Sequence, residues 1–307
     1  MSTTHPISRA LSAFERARVW LNSESLTAED LRGRVVLVDI WTYSCVNWLR
    51  TLPYINAWAE RYRDRGLVVV GVHCPEFGFE HDINNVRRAV GELGVVYPVV
   101  LDNDFAIWHS LANRYWPAVY LVDREGRIGY RHFGEGNYEE TERAIQLLLG
   151  IDEDPVRVEA DGLAEAADWN RLGTGETYIG YGRGAGRVES PAQLAPNHWA
   201  LSGDWAVEEE SAELRAARGS VTFRFHARDL NVVLAPPTLG APVRFTARLD
   251  GQPPQRDHGL DVDELGEGII DAPRMYQLVR QRGGAAERVF EITFHHPGVR
   301  AYVFTFG

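Results

Sequence analysis

The chain has 307 residues, enough for two domains that each bury a core. Its net charge is −11, and all 32 basic residues are arginines spread along the chain. That balance argues against nucleic acid or an anionic membrane as the main partner. No apolar run reaches the roughly 18 residues of a membrane span, and Met1 to Arg18 lacks the apolar stretch of a secretory leader. A cytoplasmic location is therefore expected, the alternative being export as part of a longer protein. The 2 cysteines exclude a disulfide-stapled scaffold and a four-cysteine zinc site.

In chain order, residues 26–33 read as a short helical turn before an almost continuously apolar run, Val35 to Trp41. Such a run suits a parallel strand buried on both faces. The segment after Cys45 places Tyr54, Ile55, Trp58 and Tyr62 at three- and four-residue spacing and closes at Gly66, as a helix does. Residues 67–72 form the next strand, and Ile83, Val86, Val90 and Leu93 mark a helix ending at Gly94. A helix is predicted over 102–115, a strand over 118–122, a hairpin turn over 124–127 and a closing helix over 139–149. The alternation is that of a βαβ protein.

The composition changes at the acidic, proline-containing stretch 150–155, which divides a domain over 1–152 from one over 153–307. Beyond it, 220–227, 243–249 and 288–294 alternate apolar and polar residues, with turn signals at Asp250-Gly251 and Pro297-Gly298. The second half reads as an antiparallel β-sandwich of the jelly-roll kind. No internal repeat interrupts either half.

Chemistry concentrates where the first core strand turns into a helix. Cys45 sits at the start of that helix, where the dipole favours a thiolate. The phrases Trp41-Thr42-Tyr43-Ser44-Cys45, Arg50-Thr51-Leu52-Pro53-Tyr54, Gly71-Val72-His73, Pro75-Glu76-Phe77, Tyr115-Trp116-Pro117-Ala118 and His132-Phe133-Gly134-Glu135-Gly136 resemble the DipZ/TlpA-like thioredoxin family. The second half continues the likeness through Trp199 to Trp205, Phe225 to Leu230, Tyr276 to Arg280 and the terminal Ala301 to Gly307. The resemblance implies a thioredoxin-like α/β domain followed by a β-sandwich similar to carbohydrate-binding modules. It also implies roles: Asp39, six residues before Cys45, as a buried proton acceptor; Pro53 as a helix-kinking proline; and Pro117, after Trp116, as a cis-proline facing the cysteine.

Two positions depart from that pattern. Family members usually carry a second cysteine where Trp48 stands, and threonine where Cys74 stands. If the strand ending at Cys74 lies beside the one ending at Trp41, their carboxyl ends meet on the face where such sheets hold their chemistry. A bridge needs Cα atoms within about 7 Å, and neighbouring strands lie about 4.8 Å apart, so Cys74 is a candidate relocated resolving thiol. The leading expectation is a thiol–disulfide oxidoreductase-like protein with Cys45 as nucleophile, Cys74 resolving, Asp39 moving a proton and Pro117 positioning the substrate. Trp41, Thr42, Trp48, Trp116 and Glu135 would shape the site. Its partners would be small-molecule or protein thiols and disulfides, with an external thiol as reductant.

Two alternatives stay open. Thr42 precedes Cys45 by three residues, the Thr-x-x-Cys spacing of peroxiredoxins, although Val38 stands where their proline precedes the threonine. A peroxidase with one catalytic cysteine would then be reduced from outside. Alternatively, the bulky indole at Trp48 marks a redox-inactive scaffold for ligand binding or regulation. In the second half, Trp169, Tyr178, Tyr181, Trp199 and Trp205 invite a carbohydrate reading, but sandwich cores consume aromatics. His226, Arg228 and Asp229 are the polar ligand candidates there. His295-His296 and His73-Cys74 lack metal-ligand spacing, and neither metal nor cofactor is expected.

Overall fold

The computed structural model describes residues 13–307, so the first twelve residues of the leader reading lie outside the described ones. The chain divides into two compact units, 1–164 and 165–307. The acidic stretch expected as a linker lies with the first: Glu153 pairs with Arg61 at 3.1 Å, and Val156 N–H donates to Glu142 at 2.9 Å.

The first unit is built on strands β1 (Trp20–Leu21), β2 (Val35–Trp41), β3 (Leu67–His73), β4 (Val99–Leu101), β5 (Ala118–Val122) and β6 (Ile128–Phe133). Its helices are α1 (Val46–Tyr62), α2 (Ile83–Glu92), α3 (Ala106–Ser110) and α4 (Tyr138–Leu149). The sheet order is β1-β4-β3-β2-β5-β6. Every residue of β2 and β5 is buried, which requires cover on both faces. Parallel pairing sets Trp41 opposite His73 and His73 opposite Leu101, so three strands end together at one edge. On the other side of β2, Ile40 faces Ala118 of antiparallel β5.

The two faces of β2 have different partners because side chains alternate. Val36, Val38 and Ile40 join Val70, Val72, Cys74, Val100 and Trp108 in one hydrophobic cluster. On the opposite face Asp39 and Trp41 meet Trp48 of α1. Helix α1 is tied to α4 by Tyr62, whose hydroxyl donates to Glu142 at 2.6 Å and accepts from Gln146 at 2.8 Å.

The short turn expected over 26–33 closes one helical bond, Leu31 N–H to the Thr27 carbonyl at 3.3 Å, and Thr27 and Asp30 exchange side-chain-to-backbone bonds at its start. One predicted helix is shorter than its pattern. Within 102–115 only Ala106–Ser110 is helical. The Asp102 carboxylate caps that start by accepting from Ile107 and Trp108, and Ala112 leaves the helix with φ 51°.

The strands of the second unit run from β7 (Thr177–Tyr178), β8 (Arg187–Val188), β9 (Trp199–Ser202), β10 (Trp205–Val207), β11 (Ala212–Leu214), β12 (Ser220–Ala227) and β13 (Asp229–Ala235) to β14 (Val243–Leu249), β15 (Glu267–Ile270), β16 (Arg274–Arg280), β17 (Ala286–Phe294) and β18 (Arg300–Phe306). They form two sheets, β10-β11-β18-β13-β16 with β7 beside β18, and β15-β14-β17-β12-β9-β8. All ladders are antiparallel except β8 with β9. Phe223, Phe225 and Phe290 of one sheet pack with Phe304 and Phe306 of the other in a single core. Strand β14 shows the expected alternation, Val243, Phe245, Ala247 and Leu249 being buried. No helix among the described residues is long and apolar enough to cross a membrane.

Candidate active site

Strand β2 delivers the chain to the sheet edge, the turn Thr42 to Ser44 reverses it, and Cys45 is the N-cap residue of the 17-residue helix α1. Cys45 has extended backbone (φ −79°, ψ 113°) and is half-buried, and its carbonyl accepts the first helical bond from Leu49. A thiol held there faces the positive end of the helix dipole while remaining open to solvent. Trp116-Pro117 is a cis bond, and Pro117 lies one residue before the Ala118–Ile40 pair, at the sheet edge beside Trp41.

Three residues after Cys45, the position of a second thiol is filled by packing. Trp48 is fully buried, its ring stacks on Trp41 at 4.0 Å with 17° between planes, and its indole N–H donates to Asp39 at 3.0 Å. The Tyr97 hydroxyl donates to the same Asp39 oxygen at 2.9 Å. Burial pushes the Asp39 carboxyl up to about 6 against these two bonds, because desolvation penalises the charged form more than two donors repay. Asp39 is thus the buried acid its position implied. Its partners are an indole and a phenol.

Cys74 is not where the strand argument put it. Its backbone N–H donates to the Trp41 carbonyl at 2.9 Å, so the strand ends do meet. The side chain, however, turns into the layer of Val38, Ile40, Val70 and Val72, opposite the face covered by α1. There the fully buried thiol lies 3.5 Å from Asp102, and burial together with that carboxylate pushes its pKa well up. Both cysteines are thiols, not a disulfide. Alternation along the strand is the reason: adjacent strand ends do not guarantee that two side chains share a face.

The other expected residues are mostly turned inward. Thr42 is fully buried with Oγ1 3.5 Å from His73 Nε2. Trp116 donates its indole N–H to the Cys74 carbonyl at 3.1 Å and packs on Trp108. Glu135 forms an ion pair with Arg50 of α1 at 3.2 Å, both side chains at least 95% buried, so it neutralises a guanidinium. Sequence reasoning missed Tyr97, His73 and Glu80 as parts of the site. Burial drives the His73 pKa down to about 3, so its imidazole is neutral. Glu80 carried a signal: it stands next to Phe79 and three residues from Phe77, a carboxylate among aromatics.

In the second unit the candidate ligand residues serve the unit itself. Asp229 is fully buried and accepts two bonds from Arg228 (3.1 and 2.7 Å) and two from Arg280 (2.9 and 3.2 Å). Glu165 accepts from both arginines. His226 packs on Gly173 and receives the Gly173 N–H at its carbonyl. Trp199 is core, whereas Trp169 and Tyr181 are exposed.

A cysteine at the head of a helix, a buried acid beneath it and a cis-proline alongside define a thioredoxin-like protein. Residues 9–148 match the Redoxin family, and residues 174–307 match the family described as "Thioredoxin like C-terminal domain". DipZ of Mycobacterium tuberculosis is 35% identical over 251 residues, 76% of this chain and 35% of DipZ. The chain thus spans about a third of the length of that relative. Thiol-disulfide oxidoreductase YkuV of Bacillus subtilis is 32% identical over 120 residues, 39% of this chain and 78% of YkuV. A solution structure of a thioredoxin-like protein in the oxidised form is 29% identical with a TM-score of 0.40, covering 44% of this chain and 90% of that one. The chain belongs to the thioredoxin-like family.

Proposed function

We propose that the first unit carries out thiol–disulfide exchange through Cys45 alone, with the second thiol supplied from outside the molecule. The observation that carries this reading is that the two cysteines are separate thiols, with Cys74 in the layer opposite α1. Cys45 is half-buried at a helix N-terminus, Trp48 fills the usual second position, and Cys74 is sealed in the opposite layer. The Cys45 thiolate attacks one sulfur of a disulfide, forming a mixed disulfide and releasing the other sulfur as a thiolate. An external thiolate then attacks the mixed disulfide, taking up the bound half and returning Cys45 as thiolate. The substrates are small-molecule or protein disulfides, the class on which a thiol-disulfide oxidoreductase such as YkuV acts by its name.

The peroxidase reading loses its one support, since the Thr42 hydroxyl is buried against His73. The deciding experiment is intact mass after incubation with glutathione disulfide. A single glutathione adduct on Cys45, removed by dithiothreitol, supports the reading. Loss of two hydrogens with no adduct would instead mean an internal Cys45–Cys74 bridge, and two unmodified thiols would leave a binding scaffold.

A further inference from the structure

Glu80 lies in the 3-10 turn Gly78–His81 that follows β3, and it is fully buried. Its Oε1 accepts the Ser44 hydroxyl at 2.6 Å. Its Oε2 accepts the backbone N–H groups of Glu76 at 2.6 Å and Phe77 at 3.0 Å. One side chain therefore joins the 76–80 loop to the residue immediately before Cys45. Across the turn, Tyr43 stacks on His73 at 5.7 Å and touches Phe79, so the seam around the carboxyl is aromatic.

We propose that Glu80 is a positioning residue for Cys45: through Ser44 it fixes the turn that carries the thiol, and its charge opposes the thiolate there. The inference rests on the reading of Cys45 as nucleophile and adds the group that governs its ionisation. Each hydrogen bond to the carboxyl comes from a donor, so each favours the ionised form. Glu76 acts on it, its charge disfavouring a second anion; His73 of β3 is held neutral by burial, and His81 follows Glu80 in the same turn. Burial opposes the charge and brings the carboxyl up to about 7. Its charge thus changes in the pH range in which an attacking thiol is most useful.

The test is the pH dependence of Cys45 alkylation by iodoacetamide in the full chain, read on the Cys45 peptide by mass spectrometry, for wild type and Glu80→Gln. The amide keeps an acceptor for Ser44 and removes the charge. The expected result is a profile shifted to lower pH by about half a unit, a roughly threefold faster reaction at neutral pH. A Glu80→Gln profile that superimposes on wild type overturns the proposal. If Glu80→Gln fails to fold, Ser44→Ala replaces it. Without one of its two shortest donors the carboxyl keeps its proton to higher pH, so the profile shifts the same way; no shift overturns the proposal. Alkylation needs no disulfide substrate, so a wild type that alkylates but forms no glutathione adduct refutes the exchange reading while leaving this test intact.

Discussion

Trp48 does the work of a core residue at a position next to chemistry. Its ring stacks on Trp41 and its N–H donates one of the two hydrogen bonds that Asp39 receives. Replacing it by the thiol that relatives usually carry therefore has two opposed effects. Trp48→Cys places a second thiol one helical turn from Cys45, and mild oxidation should remove two hydrogens from the intact mass and protect both thiols from alkylation. It also empties the volume of an indole, at a cost of about 3–5 kcal/mol in denaturant unfolding. A variant that oxidises no more readily than wild type would show that the turn, and not the missing sulfur, limits bridging.

At the scale of elements, the tryptophan layer constrains strand β3. A Cβ on Gly71 would lie 2.8 Å from Trp41 Nε1 and 2.8 Å from the Tyr97 ring, closer than real contacts allow. Gly71→Ala must push apart the groups that surround Asp39, and overpacking of this kind costs about 1–3 kcal/mol. Its unfolding midpoint should fall and near-ultraviolet circular dichroism should change, whereas Gly91→Ala, with open space around it inside α2, should not lower the midpoint and should leave the dichroism alone. The join between α1 and the loop after β6 is the Arg50–Glu135 pair. Glu135→Ala leaves the guanidinium buried without this carboxylate, and removing one partner of a buried pair costs about 3–5 kcal/mol. Urea unfolding of Glu135→Ala against Glu125→Ala, which removes a half-exposed partner of Arg127, checks that burial sets the difference.

Over the whole molecule, three buried groups make stability depend on pH with opposite signs. His73 has a folded pKa of about 3 against an ordinary value of 6.5, so the unfolded chain binds the extra proton and stability is lost as pH falls below about 6.5. Asp39 (ordinarily 3.8, folded about 6) and Glu80 (ordinarily 4.5, folded about 7) act the other way. The folded state holds their protons, and stability falls as pH rises from about 4 to 7. Two groups outweigh one from about pH 4.5 to 6, and Glu80 acts alone from about 6.5 to 7, so unfolding free energy should decline between pH 5 and 7.5. Asp39→Asn should remove about 3 kcal/mol of the alkaline-side loss, the worth of two pKa units. An equal pH slope in wild type and Asp39→Asn, measured by guanidinium unfolding, would mean that Asp39 is not buried in the acid form.

The sequence by itself determined the class of fold, the two-part organisation, the cysteine at the helix start, the acid before it and the cis-proline beside it. These are legible because they are local: a buried strand reads as an apolar run, a helix as a period, and the motifs as fixed offsets along the chain. The direction of a side chain at a strand end is not local. Cys74 and Trp41 lie on neighbouring strand ends, yet only the alternation along each strand and the layer above it decide that the Cys74 thiol faces Asp102 and not Cys45. Likewise, Glu80 reaches Ser44 across 36 positions and Tyr97 reaches Asp39 across 58. His226, Arg228 and Asp229 read as ligand candidates because polar residues in a strand pattern look available. Tertiary packing pairs Arg228 with Glu165 and Asp229 with Arg228 and Arg280 instead, since the buried Asp229 charge must find a partner inside the fold, and His226 lies against Gly173.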